Sequence, residues 1–100
     1  MSDNQNASEQ VLQLPAVLDL NAAAPLHEKL LVLRGTDLVL DAGLVERAGG
    51  QCLQVLVAAR QAWARDARQI SLSAVSDAFL NSLRQMGLGV DHLTTQEQMQ

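Results

Sequence analysis

Aromatic residues are nearly missing from this chain: tyrosine does not occur, and Trp63 and Phe79 are the only large rings in 100 residues. Because 48% of the residues are hydrophobic but only 2% aromatic, a core must be assembled from Leu, Val and Ala, which suits a layered α/β domain. Cysteine is as scarce. Cys52 stands alone, so no internal disulfide can form and a reducing compartment is the expected setting. Apolar runs long enough to cross a membrane are missing, and the opening MSDNQNASEQ has neither the basic nor the apolar region of a signal peptide, so a cytoplasmic protein is expected. There is no basic surplus either. The net charge is −4, and Lys29, Arg34, Arg47, Arg60, Arg65, Arg68 and Arg84 are scattered, so no basic stripe exists to neutralise a phosphate backbone and nucleic acid is excluded as an expected partner.

What is present reads as one small domain, large enough to close a core without metal or disulfide. Residues 1–9 and 94–100 are polar and aperiodic, and are expected to be a disordered tail and a flexible tail around a folded unit at 10–93. Val11 to Leu14 alternates apolar and polar residues and AVL continues after Pro15, which predicts an edge strand or hairpin interrupted by the proline. Asn21 is placed to cap a helix with Pro25 in its first turn; Leu26, Leu30 and Leu33 form its apolar stripe and Gly35 its stop. DLVLD, Asp37 to Asp41, has the unbroken apolar middle of a central strand buried on both faces.

The second helix is expected over Gln51 to Ala64, with Cys52, Leu56, Ala59 and Trp63 inward and Gln51, Gln54, Gln61 and Arg65 outward. ISLS at Ile70 to Ser73 reads as a strand. Ser76 is placed to cap a third helix whose apolar positions are Val75, Phe79, Leu83 and Met86, with Gly87 as its end and LGV as a possible last strand. The order β(β)αβαβα implies right-handed crossovers and helices packed on a largely parallel or mixed sheet.

Chemistry is harder to find. His27 and His92 have no Cys, His or carboxylate partner at a ligand spacing, so surface histidines are expected and no metal site. Cys52 lies near a helix start that would lower a thiol pKa, yet its core-pattern neighbours favour a buried structural thiol. Ser71, Ser73 and Ser76 lie in no nucleophile elbow, and Ser76 is better read as a cap. Asp19 and Asp41 each follow an apolar strand and could share a rim as an acid/base pair, although strand-ending solvated aspartates are favoured. Gly49-Gly50 could offer backbone N–H groups to an anion, but no Lys-Ser/Thr follows and no G-x-G-x-x-G occurs; a turn that needs a permissive backbone is favoured. No cofactor or enzymatic activity is expected.

The element order and the stretches DLVLDAGLVER, CLQVLVAAR and ISLSAVSDAF ending in MGL together resemble a STAS domain, from about Val11 to Leu93. The resemblance implies an α/β, STAS-like single domain with a mixed sheet, and a non-enzymatic role in binding another protein. STAS domains occur as anti-sigma-factor antagonists, in sulfate-transporter tails and as small subunits of bacterial lipid-transport ABC systems. In that family the loop before the second helix usually reads Asp-Ser-Ser-Gly-Leu or Asp-Thr-Ala-Gly-Leu, and the hydroxyl after the Asp accepts phosphate from a kinase. With Leu53 set on the motif's leucine, Gly49 takes the place of the Asp and Gly50 that of the phosphoacceptor, followed by Gln51 and Cys52. Neither reactive side chain is present. The resemblance therefore implies a recognition loop without its phosphate switch, with Glu46, Arg47, Gly49, Gly50, Gln51 and Gln54 at or near the partner contact. Stand-alone STAS proteins associated with bacterial chemotaxis kinases are the most similar in wording, so a histidine kinase or an anti-sigma kinase is the implied partner; the alternative is an MlaB-like subunit that binds the ATPase of a lipid transporter.

Overall fold

Parallel strands joined by helices organise the molecule, as the computed structural model shows for residues 9–95. In chain order the elements are β1 (Glu9–Gln13), β2 (Val17–Leu18), α1 (Leu20–Val32), β3 (Asp37–Ala42), β4 (Arg47–Ala48), α2 (Gly50–Arg65), β5 (Ile70–Val75), α3 (Asp77–Gln85) and a 3-10 turn at Val90–His92. The α/β single domain expected from the sequence is observed. Every pairing among the described residues is parallel, and the strands divide into a sheet ordered β1-β3-β5 and a separate pair, β2-β4.

Pro15 explains the division. It cannot donate to a ladder, and immediately after it Ala16 offers its carbonyl to the N–H groups of Glu46 and Arg47 at 2.7 and 3.1 Å. The chain thereby leaves β3 and joins β4, so β1 and β2 are strands of two sheets rather than arms of a hairpin. Between β3 and β5 the register slips at Leu40/Asp41, where Asp41 pairs with Ala74 and Ser73 is the extra residue of a bulge.

All three helices feed one core. Leu26 and Leu30 of α1, Cys52, Leu53, Leu56, Ala59 and Trp63 of α2, and Phe79 and Leu83 of α3 close on Leu38, Leu40 and Ala42 of β3. Trp63 satisfies its indole N–H on the Thr36 carbonyl at 2.7 Å, so the largest side chain is buried at no polar cost. β3 is central, as expected, but it is not buried on both faces. Its burial alternates, with Leu38, Leu40 and Ala42 covered and Asp37, Val39 and Asp41 only half-buried, because the helices lie on one side of the sheet.

Three local expectations are corrected. Asp19, not Asn21, caps α1: its Oδ1 accepts from the Asn21 N–H at 3.1 Å. That start places Pro25 beyond the first turn, where its ring removes the bond that the Asn21 carbonyl would otherwise receive. LGV forms no strand; Val90–His92 makes a 3-10 turn in which the Gly89 N–H donates to His92 Nδ1 at 2.9 Å, and Leu93 enters the core.

Glu9 belongs to β1, and Thr95 is bonded to Ile70 through its N–H and hydroxyl. The remainder of the two expected tails lies outside the described residues.

Candidate functional site

The carboxyl ends of parallel strands are where α/β proteins gather loops and helix N-termini, and here that rim is made by the segment 43–50. Its backbone is fixed from several sides. Glu46 and Arg47 are tied to Ala16, the Gly49 N–H donates to the Leu18 carbonyl at 2.9 Å, and the Ser76 hydroxyl donates to the Val45 carbonyl at 2.6 Å. The buried Val45 side chain anchors the middle of the segment. The side chains of Glu46 and Arg47 are exposed and form no ion pair among the described residues. The result is a rigid backbone with free charged groups.

Gly49 is the N-cap of α2, with φ −91° and ψ 168°, and Gly50 is the first helical residue. Neither glycine has a positive φ; among glycines only Gly35 and Gly87 do. The paired glycine is therefore not a backbone requirement of the turn, which corrects the expectation from sequence. Space matters more at Gly50, where an added Cβ would meet the Met86 Cε at 3.3 Å. Met86 is 43% exposed, so the position expected to fill the core instead covers the start of α2 at Gly50.

A groove of about 720 Å³ lies between this rim and α3. Glu46, Arg47 and Gly49 line it from one side, Asp19 and Leu20 from the start of α1, and Ala78, Asn81, Ser82 and Gln85 from α3. Gly50 stands beside it under Met86, whereas Gln51 and Gln54 are exposed on α2 and are not part of its lining. Leu20 and Leu44, 70% and 55% exposed, add apolar surface on the same segments. The α3 residues were missed by sequence reasoning. Their spacing marks a helix face that flanks the buried Phe79 and Leu83, but nothing local indicates that this face meets the rim.

The other candidate groups are accounted for by structure. Cys52 is fully buried, with its thiol 3.3 Å from the Asp19 carbonyl; burial pushes its pKa up, and the nearby Asp19 charge adds to that, so the helix start does not activate it. Asp41 accepts from the Gly43 N–H at 3.0 Å, and Asp19 is a cap, so each carboxylate serves its own turn. Ser76 both donates to Val45 and accepts from the Phe79 N–H at 3.0 Å. His27 is exposed, on a separate hollow of about 100 Å³ between α1 and α2, and His92 is engaged in its own 3-10 turn. No group of metal-ligating residues occurs among the described residues, and no described helix is long and apolar enough to cross a membrane.

No curated protein matches the chain, and no solved structure does. A family model described as "Mlab, STAS domain" matches residues 1–95. STAS domains are in general non-enzymatic modules of protein interaction and regulation. By that match and by its α/β architecture, the chain belongs to the STAS domain family.

Proposed function

We infer that this STAS domain is a cytoplasmic, non-enzymatic adaptor that docks on a bacterial signalling kinase, either a histidine kinase of the chemotaxis type or an anti-sigma kinase. The contact is assigned to Glu46, Arg47, Gly49 and Gly50 on the rim, with Gln51 and Gln54 on the adjoining turn of α2. One observation carries this reading: the rim backbone is pinned by hydrogen bonds on both sides, while Gly50, which the resemblance sets on the family's phosphoacceptor, has no hydroxyl. A phosphoserine there would add close to two negative charges to the interface. Without a hydroxyl that control is lost, so docking is constitutive or is regulated through the partner.

A second reading is equally compatible with the family match, whose model is described as "Mlab, STAS domain". In that reading the same rim grips the ATPase of a lipid-transport ABC complex. Capture of partners by the tagged chain, wild type against Gly50→Arg, tests both. Recovery of a histidine kinase by the wild type alone supports the adaptor, and recovery of an ABC ATPase moves the assignment to transport. Equal recovery of any partner by both forms overturns the rim as the contact.

A further inference from the structure

β1 is an edge of the three-stranded sheet, pairing only with β3 among the described residues. Such an edge presents unpaired N–H and C=O groups, and natural proteins guard it with charged side chains, proline, a bulge or short length. β1 reads EQVLQ: its one charge, Glu9, stands at its first residue, its centre carries no lysine or proline, and the one bulge of the sheet lies on the far side, between β3 and β5. Val11, at its centre, is 67% exposed, although valine is a strong strand former with an apolar side chain to cover.

The strand is also self-complementary. An antiparallel pair centred on Val11 would set Val11 against Val11 of a second copy, Gln10 against Leu12 and Glu9 against Gln13. Like carboxylates then never face each other, which is the arrangement that would weaken such a pair. Val11 is already registered with Val39, and Val39 with Ser71. The dyad would therefore extend one apolar row, Val39–Val11, directly into its copy on the face that carries no helix.

We propose that this protein forms a two-fold dimer by antiparallel pairing of β1 with β1 of a second copy, making one six-stranded sheet. The other available occupant of the edge is the segment preceding β1, MSDNQNAS, whose Asn, Asp and Ser residues have low strand propensity. The inference is independent of the partner assigned to the rim. Because antiparallel pairing reverses the strand direction, it points the two rims to opposite ends of the dimer, leaving both open to a partner.

The contact is a short strand, well below the roughly 1,200 Å² of total burial typical of stable complexes, so the dimer is expected to dissociate on dilution. Sedimentation velocity of the full chain, from micromolar to millimolar concentration, provides the test. Val11→Lys and Val11→Glu should each be monomeric, since each places like charges together at the dyad, and circular dichroism should confirm that these exposed substitutions keep the fold. An equimolar mixture of the two variants should recover the dimer. A monomeric wild type throughout the range, a dimer unaffected by either substitution, or failure of the mixture to recover it would each overturn the proposal.

Discussion

Helices α2 and α3 begin at the same rim and end in the same motif, yet they are built by opposite choices of residue. α3 starts at Ser76, whose hydroxyl caps the Phe79 N–H, and ends at Gly87, which takes the positive φ of 74° that the terminal turn demands. α2 starts at Gly49, which offers no side-chain cap, and turns out of its last residues at Ala67, an alanine with φ 59°. The bonding at the two ends is equivalent: Arg68 N–H to Trp63 and Ala67 N–H to Ala64 in one, Leu88 N–H to Leu83 and Gly87 N–H to Arg84 in the other. α2 thus has glycine where none is needed and lacks it where one is. Departures from local rules gather at functional sites, and the bare start of α2 lies on the rim proposed as the partner contact.

The contrast can be broken most severely at Ser76. Ser76→Ala removes a cap and leaves the Val45 carbonyl without its donor, so a loss of about 2 kcal/mol is expected, read from the urea midpoint at constant slope. The rim should also loosen, which hydrogen exchange at Val45 to Arg47 would detect. Next in size is Gly87→Ala. The added methyl meets nothing, so only left-handed strain, reduced by the lower entropy of the unfolded chain, destabilises it, by about 1 kcal/mol. Ala67→Gly is the mirror experiment and should stabilise by several tenths to about 1 kcal/mol.

The smallest stability change is expected at Gly49→Ser, a gain of only a few tenths of a kcal/mol. There the contrast separates fold from function: a stabilised helix start combined with weaker partner binding is the outcome expected of a contact residue.

The strained end of α2 is also held from outside. Its C-cap, Asp66, takes two hydrogen bonds from Arg34 at the end of α1, at 2.8 and 3.1 Å. The hydrogen bond from Arg34 is the main reason the Asp66 pKa is lowered; desolvation opposes it, and the charges of Arg34 and Arg65 assist. A pKa lower in the folded state means that the carboxylate adds stability above its unfolded pKa, near 4, and that this contribution is lost as the pH falls through the folded value. Asp66→Asn should therefore flatten the acid limb of a stability-against-pH curve. An unchanged limb would show that the pair does nothing for α2.

Much of this could be read in the chain because periodicity reports burial. The stripe Cys52, Leu56, Ala59 and Trp63 is buried as its spacing requires, and Ser76 caps as its place before an apolar helix predicts. Long-range choices were illegible. Nothing local in Leu38 to Leu40 says that all helices settle on one side of β3, nor does Pro15 announce that the chain changes sheets. Met86 has helix-core spacing but is the C-cap of the third helix, and its side chain lies over Gly50. The rim residues could be named only through the family motif, and the α3 wall of the groove required the fold.

The most direct test of the rim as the docking surface is titration of the folded full chain against a purified chemotaxis-type histidine kinase, comparing wild type, Gly50→Arg and the exposed α2 C-terminal variant Arg65→Ala. The account predicts that Gly50→Arg weakens binding by about tenfold or more, while Arg65→Ala binds as the wild type does. Equal affinity of all three, or loss only with Arg65→Ala, would contradict it.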